Sequence, residues 1–167
     1  GFSNQVSGSQ STVVGGFNSC NYGCRSNIDG GQTNVITSVV KYGVIGGGFG
    51  NTVSGYNSTI AGGACGVVSG QYAFLGGGIG NCVTANCATV VGGQQNTGSG
   101  TWSSVGGGSL NVASGQYGTV AGGLNNTACG SRSAVLGGSG NTASGYRSAI
   151  GGGNANCTCV AALHSFI

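Results

Sequence analysis

The sequence contains no proline and no methionine, and only five side chains carry formal charge: Arg25, Asp29, Lys41, Arg132 and Arg147. Each shortage excludes something. Without proline and a strict three-residue period, the abundant glycine cannot belong to a collagen triple helix. No apolar run approaches the roughly 20 residues of a membrane-spanning helix before Gly, Ser or Asn breaks it. Four scattered cations and a net charge of +3 do not form the basic field that nucleic-acid binding requires. Charge-driven disorder is excluded by the same low charge, since 38% of the residues are apolar. The chain has one acid, Asp29, and one histidine, His164. Paired-carboxylate catalysis is therefore closed to a single chain, and a Ser-His-Asp arrangement would have to use that one distant pair. The inventory predicts a protein that is not an enzyme and carries no cofactor.

What the chain has in excess is glycine, 40 of 167 residues, and its placement is regular. Gly-Gly pairs begin at residues 15, 30, 47, 62, 77, 92, 107, 122, 137 and 152, a step of 15 with a single step of 17. With the first Gly of each pair as position 1, the repeat reads G-G-x-x-N-x-(V/A)-S-G-x-x-S-x-(V/I)-x. Position 5 is Asn at Asn4, Asn34, Asn51, Asn81, Asn96, Asn111, Asn126, Asn141 and Asn156, with Ser19 and Gly66 as exceptions. Position 14 is aliphatic at Val13, Ile28, Ile60, Leu75, Val90, Val105, Val120, Val135 and Ile150. Position 7 is small or branched, as at Val53, Val83, Ala113 and Ala143. The repeats at 30–46 and 152–167 each read as two residues longer, displacing the aliphatic position to Ile45 and Ile167 and losing the Ser-Gly pair. The chain starts and stops inside a repeat, as a fragment of a longer array would.

Helix is disfavoured, because each interior Gly costs about 1 kcal/mol relative to Ala. Two short strand-like segments per repeat, separated by Gly-Gly and Ser-Gly corners where glycine takes positive φ, describe one coil of a flattened β-solenoid. The expected fold is all-β: about eleven 15-residue coils in one domain over 1–167, stacked about 4.8 Å apart into a rod of about 50 Å. The position-5 asparagines are expected to form an amide ladder, and the position-14 side chains an aliphatic one. One aliphatic and one small residue per coil is a thin core against the backbone entropy of ordering the coil. Positions 13 and 15, on the opposite face of the strand from position 14, are mostly uncharged, as at Phe74, Ala134, Val91 and Leu136. A strand apolar on both faces is one buried on both faces, and another copy of the chain is the expected cover.

The pattern Asn-x-Ala-Ser-Gly-x-x-Ser-x-Ile-x-Gly-Gly, seen at Asn141–Gly153, resembles the head repeats of YadA-type trimeric autotransporter adhesins. It is similar too to the Gly-Gly-rich repeats of tail-fibre-like proteins. The resemblance covers essentially the whole chain, although these repeats are mostly 14 residues long and this chain adds eight cysteines. It implies a left-handed parallel β-roll, a parallel homotrimer, and a place on a cell or virion surface. The implied role is an extended stalk or head that meets a host receptor or glycan, without membrane insertion in this segment.

Candidate chemistry is confined to two groups of side chains. Cys20 with Cys24, Cys82 with Cys87, and Cys157 with Cys159 are close in sequence, the first two pairs flanking a corner, and disulfides are the expected state of an extracellular rod. Cys65 and Cys129 lack an evident partner. A zinc site of Cys157, Cys159 and His164 departs from the usual Cys-x-x-Cys spacing and lacks a second ligand pair, so no metal is expected. Positions 10 and 11 collect Arg25, Tyr56, Tyr72, Trp102, Tyr117, Arg132, Tyr146 and Arg147. Following the Ser-Gly corner, they should project along one edge of the rod, where aromatic rings and arginines suit contact with a host protein or glycan. Threonine recurs at position 13 (Thr12, Thr59, Thr89, Thr119), but Asn27, Phe74, Ala134 and Ala149 interrupt the row.

Overall fold

The structure is a computed structural model of the single chain and describes residues 1–160 and 164–167. Among these residues there is no helix, and the strands pair only in parallel. One sheet stacks eleven two-residue strands, from Gln5–Val6 to Cys157–Thr158. A second sheet stacks ten, from Thr12–Val13 to Ala149–Ile150, and Phe166 extends it by a bridge to Ala149. The chain alternates between the sheets, so each pair of consecutive strands is one coil and the fold is a β-solenoid. Strand residues occupy positions 6–7 and 13–14 of the repeat.

Register follows the period without slippage. Val90 pairs with Val105, Val105 with Val120, Val120 with Val135, and Val135 with Ile150. These side chains are fully buried, together with the position-7 residues Val53, Val83, Ala113 and Ala143 across the core. The 17-residue coil keeps that register, because Ile45 pairs with both Ile28 and Ile60. Its two extra residues sit in the loop after Ile36, where Val40 turns inward and is fully buried. At the last coil, the Ile167 N–H donates to the Ala149 carbonyl at 3.0 Å and the Ile167 carbonyl accepts from Gly151 at 2.7 Å, setting Ile167 in the rung of Ile150. The altered turn expected at Cys159–Ala161 falls partly outside the described residues.

A third ladder runs along position 3, joining Phe2, Phe17, Gln32, Phe49, Ala64, Ile79, Gln94, Ser109, Leu124, Ser139 and Asn154 by parallel bridges. The two-strand reading of the repeat does not include it. Its signal in the sequence is the recurrence of Phe2, Phe17, Phe49, Ile79 and Leu124 at one repeat position, and each of these side chains is exposed.

The asparagine row is buried, but its hydrogen bonds differ from the expected amide-to-amide ladder. The Asn126 backbone N–H donates to Asn111 Oδ1 at 2.9 Å, while Asn111 Nδ2 donates to the carbonyls of Gly107 and Gly123, both at 2.9 Å. From Asn34 to Asn141, with a gap at Gly66, each side chain thus ties its own Gly-Gly corner to the next coil's corner and accepts from the next coil's backbone. Only Asn141 also donates amide to amide, to Asn126 Oδ1 at 3.1 Å. Corner geometry departs from expectation as well. Positive φ falls on the second Gly of every pair, on position 4 and on position 11, including bulky residues such as Leu110 (φ 60) and Trp102 (φ 57). At positions 4 and 11 the N–H turns back to the preceding coil, as Leu110 to Gln94 (2.9 Å) and Tyr117 to Thr101 (3.0 Å). That bond holds a conformation costing an L-residue about 1–2 kcal/mol. The glycine of the Ser-Gly pair is not at positive φ. It lies where coils approach closely: a Cβ on Gly55 would be 2.7 Å from the Gly70 carbonyl carbon.

Candidate functional site

Position 11 forms one column because its corner is repeated at the same place in every coil. The column runs Gln10, Arg25, Tyr42, Asn57, Tyr72, Cys87, Trp102, Tyr117, Arg132, Arg147 and His164, all at positive φ. Position 10 lies beside it, and the Tyr72 N–H donates to the Tyr56 carbonyl at 2.9 Å. The expected edge residues therefore share one side of the rod, although they do not form one continuous cluster. Tyr56 and Tyr72 stand apart from both of the groups that interact through their side chains.

The first group is Arg25, Tyr42 and Gln10. Arg25 donates from Nη1 to the Tyr42 hydroxyl and from Nε to Gln10 Oε1, each at 2.7 Å. The Tyr42 hydroxyl raises the Arg25 pKa further, so this guanidinium stays charged at any ordinary pH. The second group is larger. Trp102 and Tyr117 stack with centroids 5.1 Å apart and planes 5° from parallel. The Arg132 guanidinium lies 5.7 Å from the Tyr117 centroid and 5.9 Å from that of Tyr146, and donates to the Tyr146 hydroxyl at 2.7 Å. The Arg147 guanidinium lies over the Tyr146 ring, 5.0 Å from its centroid, and its Nη1 lies 3.4 Å from His164 Nε2. Contacts of this kind contribute roughly 0.5–1 kcal/mol each at exposed sites, so the group is a modest brace for the stack.

Tyr42 and His164 were not among the residues expected at this edge. Both follow a two-residue lengthening, and counting forward from the Gly-Gly pair misplaces them. Counting back from Ile45 and Ile167 puts each three residues before the core aliphatic, where Arg25 and Arg147 stand before Ile28 and Ile150.

None of the expected disulfides is formed in the single chain, where all eight cysteines are free thiols. Cys20 lies on a strand between Gln5 and Val35, and its thiol faces the Tyr22 hydroxyl rather than Cys24. Cys24 lies past the corner in a bridge to Lys41. Cys82 sits on a strand between Val67 and Thr97, whereas Cys87 belongs to the position-11 corner at φ 57. Cys157 is on a strand, and Cys159 follows it without joining it. Burial pushes the Cys82 thiol above the ordinary range, which makes it a poor nucleophile near neutral pH. A thiol-reactive dye is therefore expected to label the exposed Cys65, Cys129, Cys157 and Cys159 of the native chain within minutes. Cys82 should react far more slowly, as peptide mapping of the labelled protein would establish.

No three His, Cys, Asp or Glu side chains converge among the described residues. Likewise, no described helix is long and apolar enough to cross a membrane.

These features define a parallel β-solenoid with an aromatic and arginine edge. The sequence matches no protein-family model and no curated protein.

Proposed function

We propose that the chain is the non-catalytic shaft of an extracellular or virion-surface fibre, a left-handed β-roll assembled as a parallel homotrimer that holds a host-binding tip away from its base. The observation that carries this reading is the unbroken register of the position-14 ladder, buried from Ile28 to Ile150, which spends the interior on rigidity. Assembly is supported by the surface. Val14, Val91 and Leu136 at position 15 are 74%, 55% and 58% exposed, a costly display for a free chain. The first glycines of the pairs add to this. A Cβ on Gly15, Gly30, Gly62, Gly122, Gly137 or Gly152 would meet nothing within 4 Å, so the chain's own packing gives no reason for glycine there. Close approach of another copy supplies one.

Sedimentation equilibrium of the purified chain tests the assembly. The expected mass is three times the 15.9 kDa of one chain, carried by particles that should appear as short rods in electron micrographs. A monomer at micromolar concentration overturns the trimer.

A second reading, that the rod is itself an adhesin, is favoured by the edge group from Trp102 to Arg147. In that reading the edge touches host glycan or protein directly.

A further inference from the structure

We infer that the edge from Trp102 to Arg147 binds a linear polysaccharide bearing uronic-acid carboxylates. The inference rests on the second reading above and names its ligand. Three features of the group converge on this chemistry.

The first is exposed ring surface. Trp102 and Tyr117 are 50% and 43% exposed. Their planes are parallel but their centroids lie 5.1 Å apart, farther than the roughly 3.5–4 Å of carbon atoms in contact. Rings in contact at that centroid distance must be offset like shingles, and each leaves part of a face open. An open aromatic face is a stacking platform for the apolar face of a sugar ring.

The second is a pair of immobilised cations without a counter-charge. Arg132 is held between Tyr117 and Tyr146, and Arg147 lies over Tyr146. The only acid of the chain, Asp29, is in the second coil, where Asn27 hydrogen-bonds to it, while Arg132 is in the ninth. Arg132 uses one N–H on the Tyr146 hydroxyl, which leaves most of its five donors for a ligand. A planar guanidinium fits a carboxylate through two parallel hydrogen bonds, and pre-ordering lowers the entropy lost on binding.

The third is periodicity. Successive members of the column are one rung apart, about 4.8 Å, comparable to the length one hexose adds to an extended chain. Consecutive sugars of a linear polymer therefore meet consecutive rungs, two of them aromatic and the next two cationic. Single-stranded nucleic acid also stacks on aromatics, but its affinity rests on many phosphate contacts, and two cations supply few.

Calorimetric titration of the full chain with alginate oligosaccharides tests the inference, with carboxyl-reduced oligosaccharide, heparin oligosaccharide and oligo-dT in parallel. Alginate should bind and weaken with added salt, and the carboxyl-reduced sugar should bind at least tenfold more weakly. W102N with Y117N should lower alginate affinity by about 10–100-fold. Asn suits these positions because it tolerates the positive φ of 57 and 58 found there. R132Q with R147Q should lower affinity about tenfold and flatten the salt dependence, whereas Y72N should bind as the parent does. Unchanged melting by circular dichroism separates lost contact from lost fold. Alginate binding that survives both double variants overturns the inference, as does preference for oligo-dT, whereas heparin, whose uronic acids also carry carboxylates, should bind and lose affinity in R132Q with R147Q. Equal affinity for the carboxyl-reduced sugar removes the anionic ligand but leaves a glycan-binding edge. Absence of binding to every saccharide overturns the inference and leaves the shaft standing.

Discussion

Asn111→Ala is expected to destabilise the rod by roughly 2–4 kcal/mol, because it removes the side chain that joins two Gly-Gly corners and caps the next rung. The Asn126 N–H loses its acceptor in a fully buried position, and the Gly107 carbonyl loses the amide that donates to it. The Gly123 carbonyl keeps its bond from Ser109 at 3.0 Å, so the loss is smaller than a count of three bonds implies. For a chain of this size that is a fall in melting temperature of about 5–15 °C, read by circular dichroism at the β band. The lesion sits in the middle of a one-dimensional stack whose stability is a sum of coil and neighbour terms. Melting should therefore broaden as the two flanks begin to uncouple.

The chain already contains a natural form of this lesion, and it points to a rescue. Gly66 stands where Asn stands in neighbouring coils, so the next coil's Asn81 N–H faces no side-chain acceptor. In the same coil Leu75 is the one leucine of the position-14 row, and its Cδ2 would lie 2.6 Å from a Cβ on Gly66. The larger aliphatic fills the space the amide vacates. By that logic Asn111→Gly with Val120→Leu, which copies the Gly66–Leu75 pair, should melt higher than Asn111→Gly alone. If the double variant melts no higher, the filling argument fails.

The parts of the fold legible in the sequence are those in which one repeat position has one physical job. Position 14 is aliphatic in every coil while its strand neighbours vary from Thr12 to Phe74 and from Gly76 to Leu136, so the core ladder and its register follow from the period. Asn at position 5 was legible as a buried row but not in its bonding, because spacing cannot say whether an amide meets an amide or the backbone. Glycine was legible as punctuation, yet three causes share that letter: positive φ at the second of the pair, coil-to-coil approach after Ser, and neither at most first glycines. Ala85 in the Ser-Gly position marks the difference, since close approach can relax, whereas the φ of 82–93 at the second Gly lies beyond the 51–60 that side chains adopt at positions 4 and 11. The edge was legible wherever the count held and was lost at Tyr42 and His164, where two added residues shift the count while the hydrogen-bonded register absorbs them. Cysteine pairs close in sequence suggested disulfides, but the corner falls between Cys20 and Cys24 and between Cys82 and Cys87, and spacing alone does not say how a corner turns two thiols.

Adjacent glycines should respond in opposite ways to the same methyl group. Gly123 has φ +92, and a Cβ there would lie 2.5 Å from Asn126 Nδ2 and closer still to the Gly138 carbonyl oxygen. Gly123→Ala therefore strains the backbone, displaces the ladder amide and pushes the next coil away. Together these place it among the rare substitutions costing more than about 4 kcal/mol, enough to abolish a cooperative denaturation transition in the surrounding coils. Gly122 meets none of these obstacles: its φ lies outside the left-handed region and no atom is within 4 Å of its Cβ position. For the isolated chain, Gly122→Ala should be neutral or stabilising by about 0.4–1 kcal/mol, since alanine restricts the unfolded state more than glycine does. If the row of first glycines lies against sister chains, the same methyl group intrudes at the contact between copies. Gly122→Ala should then keep its β signal while its sedimenting mass falls toward that of one chain. A Gly122→Ala variant that assembles as tightly as the parent would remove the glycine row from the contact between copies, and Gly123→Ala with parental stability would remove the second glycine from its place in the coil.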